Sequence, residues 1–425
     1  MNHITLRYLN ISLKMAVVVL CSLNCLHSLS NLYRGKKTFQ HYFYLLFYFF
    51  YVGPVILRIF FPEHQYTDFW KANAAMNDPL SNILYYIFAL AFSHVIMRSG
   101  KKTVPAAPYR LTYNKLFIEV CTFIMIAVFL LTVAQNGTSL LRYAEPAGRN
   151  IHEDLIGCGT ICYLVLLGCQ KHLSKSRLLI VTLLEVSFFW FVGKRYIVAE
   201  TVILGIYILS ITGQLNGKKF IRALIFGGGG ILLFCVIYAW LMKRRHFVSI
   251  LNYFMVDMSR QYTLVYQFYS SIIDRQISIN RFDAVKWILT FWIPRSLWSE
   301  KPYPFVNQLT YSLIGYNELA TLYNVGWATT CSVFSDLFDS FSWFGIALGF
   351  WLFTKLFQAV NQTRKPHYKV LLIYLCIRLL TVQLSSYIIQ VMLCSVIFCV
   401  CDSIGTNKSR VIGDAEYITL IRIRG

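Results

Sequence analysis

Long apolar blocks constrain this chain more than any other feature. They fall near residues 13–32, 40–61, 80–98, 115–134, 155–170, 177–193, 196–213, 221–242, 341–359, 367–384 and 386–402. Most are about 17–23 residues long, the length of helix that crosses a bilayer core. Backbone in lipid must satisfy its own hydrogen bonds, so it spans as a helix or as a closed barrel. These blocks are continuous, without the alternation of barrel strands. The chain is therefore expected to be an all-α polytopic membrane protein with about eleven transmembrane helices, within ten to twelve. Composition agrees: 57% of the 425 residues are hydrophobic and only 14% are charged, against about a quarter charged in soluble domains.

Charge distribution sets the sidedness. A formal charge of +21 on a soluble protein would suggest nucleic acid. Here about half of the 40 Lys and Arg lie in short connections nearly free of acids, namely 34–37, 98–110, 171–177, 217–222 and 364–369, and in the C-terminal tail. Cytoplasmic loops are enriched in Lys and Arg, so these face the cytoplasm and no nucleic acid is expected as a partner. Most of the 19 acidic residues occupy the other loops. The C-terminus then lies inside, and an odd number of spans puts the N-terminus outside. Arg7 and Lys14 weigh against that, which leaves an even count open. The basic flank and apolar run at the start, with no small-residue cleavage site, read as a retained first helix.

This divides the chain into N-terminal transmembrane helices (1–242), one long extracytoplasmic connection (243–340), C-terminal transmembrane helices (341–403) and a cytoplasmic tail (404–425). The long connection mixes basic, acidic and aromatic residues. It is too rich in Trp, Tyr and Phe for a disordered linker. It is expected to form a helical cap lying on the membrane, with 287–294 dipping into the interface, where Trp is favoured. The twelve cysteines lack zinc-ligand or disulfide-framework spacing and read as small apolar packing residues. The GGGG run at 227–230 sits in an apolar block without the Lys and Ser/Thr of a phosphate loop, so close helix packing is expected.

Outer-face cations are the candidates for chemistry, because the charge bias would otherwise remove them. They are Lys194 and Arg195 in FVGKRYIVAE, Arg244 and Arg245 in MKRRHF, and Arg295 and Lys301 in FWIPRSLWSEKPYPF. Arg forks onto phosphate and Lys holds it as a point charge, so a lipid-linked diphosphate is the natural ligand. Head-group anchoring by KRRH and snorkelling of Lys194 and Arg195 are the plainer readings. Arg378 lies inside an apolar block, where a charge is costly and paired or functional; its expected partner is Glu185 or Glu200. Asp336 and Asp339 are three apart on one helical face. Either a general base acting on a sugar hydroxyl or a carboxylate favoured by a helix N-terminus fits them. No G-x-S-x-G or H-E-x-x-H pattern is present, and no metal site or cofactor is expected.

The G-K-R turn, K-R-R-H-F after a later span, I-P-R-S-L-W-S-E-K-P in the long outer loop, and a Ser/Asp-bearing approach to a span at Phe344-Gly345 together resemble the Wzy-type O-antigen and oligosaccharide repeat-unit polymerases. Enterobacterial common antigen polymerases are similar in pattern. The resemblance covers about residues 190–350. It implies an integral-membrane glycosyltransferase of the bacterial inner membrane, with its active site on the periplasmic face and no nucleotide sugar or metal. The enzyme would transfer a glycan from undecaprenyl diphosphate to a second lipid-linked repeat unit. Lys194, Arg195, Arg244, Arg245, Arg295 and Lys301 would hold the diphosphate, and Arg295 and Asp336 would be catalytic. Many members carry Glu before the late Phe-Gly, where the nearest acid here is Asp336. A Wzz-type chain-length co-polymerase is the implied partner, alongside membrane lipid. An O-antigen ligase and a lipid-linked oligosaccharide flippase remain the alternatives.

Overall fold

The computed structural model describes residues 3–36, 38–67, 69–99, 115–137, 153–169, 173–192, 195–215, 217–241, 254–256, 258–274, 277–278, 280–290, 292–294, 296–315, 329–363, 365–383 and 387–403. The regular structure among those residues is helical, with no strand. In chain order the helices are α1 (His3–Tyr33), α2 (Phe39–Phe47), a π turn (Tyr48–Val52), α3 (Gly53–Phe60), α4 (Lys71–Asn77) and α5 (Pro79–Ser99). Then come α6 (Lys115–Asn136), α7 (Glu153–Gly168), α8 (Lys175–Val192), α9 (Arg195–Ile211) and α10 (Lys218–Leu241). The long connection holds α11 (Gln261–Ile272), α12 (Asp283–Thr290), α13 (Phe305–Ile314) and α14 (Val333–Phe341); α15 (Trp343–Gln362) and α16 (Pro366–Thr381) follow it, and the last helix is α17 (Ile388–Ser403).

Every apolar block is helical, with ends displaced by a few residues from the sequence expectation; α1 alone runs well past its block, back to His3. Five stretches are long and apolar enough to cross a membrane: Ile4–Tyr33, Phe39–Phe60, Pro79–Ser99, Lys115–Asn136 and Trp343–Gln362. Phe123 and Leu130 of α6, Leu183 of α8, and Phe226 and Leu233 of α10 are exposed. Such surface is a liability in water and the ordinary state in lipid. The chain is a membrane protein.

Local sequence explains where these helices start and bend. Asp78 accepts from the Ser81 N–H at 2.8 Å, and Pro79 sits at the first helical position, so α5 has a cap and no wasted donor. Pro54 lacks an N–H and cannot bond the Phe50 carbonyl four residues back. The helix widens into the π turn just before it, and the Arg260 N–H takes the Phe50 carbonyl at 3.0 Å.

The core is aromatic. Phe92 stacks on Phe350 at 5.6 Å and 8°, and Phe334 stacks on Phe353 at 5.4 Å. Phe43 meets Phe357 edge to face at 4.8 Å. These rings join α2, α5, α14 and α15 with the geometry that ring quadrupoles favour. All eleven described cysteines are free and ten are buried. Of the four glycines at 227–230, only Gly227 closely approaches another helix, α9, where a Cβ would meet Ile206 and Val202 at 2.9 Å; the other three face open space. The block is apolar because it faces outward, and three of its four glycines are not packing contacts.

The long connection is more than a layer on top. Its α11 packs on α4 and α5, and α14 packs on α15 and α16. Helices α14 and α15 fold into a tight hairpin through Ser342, with φ 53°. There a Cβ on Gly345 would lie 2.0 Å from the Leu337 carbonyl oxygen, so only glycine lets the two backbones meet. Residues 287–290 form the end of α12 and residues 292–294 a turn, with Leu289, Trp292 and nearby Leu297 all strongly exposed. That is the surface an interfacial segment presents to head groups.

Candidate functional site

Arg260 is the most unusual residue in the fold, with 0% exposure. Its Nε donates to the Thr381 carbonyl at 2.6 Å and its Nη1 to the Ser259 carbonyl at 2.9 Å. The guanidinium lies 5.4 Å from the Phe50 ring centroid. Thr381 ends α16, so the cation sits on carbonyls that the helix leaves unbonded and at its negative pole. Tyr51 donates its hydroxyl to the neighbouring Leu380 carbonyl at 2.9 Å, and Tyr85 donates to the Tyr51 carbonyl at 2.7 Å. Phe50 lies ten residues before the end of α3, about 15 Å along a helix. Arg260, whose N–H bonds the Phe50 carbonyl, lies about that far from the end of α3.

Asp336 joins this centre from the first part of α14 and is 6% exposed. Asp336 and Arg260 both lie within electrostatic reach of the Cys331 thiol, as does Asp339. Asp336 also lies within reach of Tyr387, and the Ser332 side chain sits beside the Tyr51 hydroxyl. The hydroxyls of Ser335 and Tyr387 are buried without a hydrogen-bond partner among the described residues. Buried polar atoms normally have partners, so such exceptions ask for an explanation. The result is a water-poor centre with an acid, a cation and two hydroxyls, built where the π turn, α11, α14 and the end of α16 meet. An acid so placed can take a proton from a hydroxyl brought to it, and the cation can offset charge.

The sequence candidates are distributed unevenly. Lys194, Arg244, Arg245 and Arg295 lie outside the described residues. Arg195 opens α9, and only its backbone is described. Lys301 is 7% exposed; its Nζ donates to the Ile293 carbonyl at 2.8 Å and lies 4.7 Å from the Trp287 ring centroid. It therefore fastens the 293–301 loop over α12. In turn α12 packs on α14, the helix that carries Asp336. Arg378 pairs with Glu200 at 2.9 Å, one of its two expected partners. Glu185 instead accepts from Thr160 at 2.9 Å. Among the described residues, no three His, Cys, Asp or Glu side chains come together as metal ligands.

Asp339, three residues on from Asp336, accepts a hydrogen bond from Ser278. Burial pushes its carboxyl up to about 6, with Asp283 adding to the shift and Ser278 and Arg281 opposing it. A carboxyl whose folded value is raised stabilises the fold while protonated. That gain is complete below the unfolded value near 4 and is lost as pH rises through about 6. Melting in detergent from about pH 4 to 7 should therefore show a downward slope that Asp339→Asn removes. An unchanged slope would assign it to other groups.

No family model, curated protein or solved structure matches this chain.

Proposed function

We propose that the chain is a polysaccharide polymerase of the bacterial inner membrane, transferring an undecaprenyl-diphosphate-linked glycan onto a lipid-linked repeat unit at the outer face. The observation that carries this reading is the near-complete burial of Asp336 on a helix of the long connection. It shares that centre with Arg260. A glycosyl transfer of this kind needs a base for the acceptor hydroxyl, positive charge for the departing diphosphate and exclusion of water. The acid and the dry setting are present together. The outer cations Lys194, Arg195, Arg244, Arg245 and Arg295 would neutralise the diphosphate, with Lys301 holding the loop that carries Arg295. In this reading about eleven helices span the membrane, 243–340 forms the extracytoplasmic side, and a chain-length co-polymerase is the expected partner.

A lipid-linked oligosaccharide flippase is the second reading. The π turn in the second apolar block, the short α11 and α14, and the break between α16 and α17 are interruptions at depth of the sort carriers use at their binding sites. One experiment separates the two. Purified protein mixed with lipid-linked repeat units in detergent micelles, without a membrane to cross, should yield a ladder of longer glycans on a gel. Persistence of single repeats with folded protein would reject the polymerase and leave the carrier.

A further inference from the structure

The outer end of α11 and the short α4 enclose a cleft of about 190 Å³, lined by Trp70, Lys71, Ala74, Tyr266, Tyr269, Ser270 and Ile273. Along α11, Ser270 lies ten residues beyond Arg260, about 15 Å at helical rise. The cleft is thus separate from the buried centre and on the outward side of it.

We propose that this cleft binds one pyranose ring of a glycan. Its shape is held in advance. The Trp70 indole N–H donates to the Ile314 carbonyl at 2.6 Å. Gly315 caps α13 with φ 89°, and a Cβ there would meet Trp70 and Lys71 at 2.7 Å. The Tyr266 hydroxyl is tied to Ser312, at 2.6 Å from its Oγ and 3.0 Å from its carbonyl. Trp70 is nonetheless 57% exposed, an unusual state for an indole fixed on one edge. The Ser270 hydroxyl is the opposite case. The residue is 1% exposed, lines the cleft, and its Oγ has no hydrogen-bond partner among the described residues.

Ligand chemistry follows from that combination. Aromatic faces are electron-rich and attract the weakly positive C–H face of a sugar ring. A buried hydroxyl without a partner gains a full hydrogen bond when a sugar hydroxyl reaches it. Lys71, whose Nζ lies 5.5 Å from the Trp70 ring centroid, adds a donor at the rim. An acyl chain would leave Ser270 unsatisfied. A bare phosphate would have no use for three aromatic rings and would call for the fork of an arginine. The volume equals that of about six waters, enough for a single ring and below the range of larger organic ligands.

The inference rests on the glycan substrate of the proposed function, but its readout is binding. The probe is the oligosaccharide released by mild acid from the carrier lipids of the source cell, titrated calorimetrically into purified full-length protein. Saturable binding is expected, weakened about tenfold or more by Trp70→Ala and measurably by Ser270→Ala and Lys71→Gln. Trp292→Ala, on another exposed stretch, should bind as wild type. Because Trp70→Ala also removes a structural hydrogen bond, Ser270→Ala and Lys71→Gln keep the test valid if that variant does not fold. Wild-type affinity in both of these variants, or no saturable binding by wild type, overturns the cleft. Ladder synthesis with wild-type binding in the cleft variants would reject the cleft and keep the polymerase. Trp70-dependent binding without any ladder would do the reverse.

Discussion

Glu200→Leu is expected to destabilise the protein by about 3–5 kcal/mol, and the double substitution Glu200→Leu with Arg378→Leu is expected to recover most of that loss. The pair joins α9 to α16 at 2.9 Å with side chains 3% and 5% exposed. Removing the carboxylate strands a guanidinium, which cannot shed its proton. The nearby Tyr374 ring, 5.5 Å away at its centroid, offers attraction but no compensating charge. Arg378→Leu alone should cost less, because a stranded carboxyl can bind a proton and become neutral. The order of melting temperatures in detergent should therefore be wild type and double variant highest, Arg378→Leu next, Glu200→Leu lowest. Equal losses in both single variants without recovery in the double would mean that packing, rather than charge, dominates the site.

Much of the architecture was legible because it depends on properties carried one residue at a time. Block length and apolarity locate the helices of 79–99 or 343–362 to within a few residues, since lipid demands a fixed span and internal hydrogen bonding. The pairing of Arg378 was legible as a need for a partner, and two acids were close enough in kind to supply it. Arg260 was not legible. It sits in MVDMSRQYT, a mixed stretch with nothing to distinguish it from other loop arginines. Its role appears only when Pro54 frees the Phe50 carbonyl and the end of α16 arrives from 121 residues away. The unused trace in the sequence was Gly53-Pro54 inside an apolar block, where the proline frees a carbonyl that must be bonded by something. The placement of α11 and α14 among the apolar helices was missed for a related reason. Their amphipathic patterns suit a surface cap equally well, and only the stacking of Phe334 on Phe353 and the contact of Phe268 with Phe338 at 5.0 Å decide between them.

Asp336→Asn separates the two meanings of this carboxylate. If Asp336 serves only as negative charge near the start of α14, the substitution should cost about 0.3–1 kcal/mol of stability, and ladder formation by folded protein should continue at close to the wild-type rate. If Asp336 is the base for the acceptor hydroxyl, turnover should fall by about 10²–10⁴ while oligosaccharide binding stays intact. The amide keeps the size and much of the hydrogen bonding of the acid but cannot accept the proton. Its surroundings favour the larger effect. The residue is almost fully buried within electrostatic reach of Tyr387, whose hydroxyl has no hydrogen-bond partner among the described residues, an arrangement that a helix-end charge in solvent would not need. Asp339→Asn is the internal control. It lies three residues on, in the same helix, with its carboxyl bonded to Ser278, and it should leave turnover unchanged while altering the pH slope of stability. Loss of turnover in Asp339→Asn with retention in Asp336→Asn would move the base one turn along α14, to the carboxyl bonded to Ser278, and with it the whole catalytic assignment.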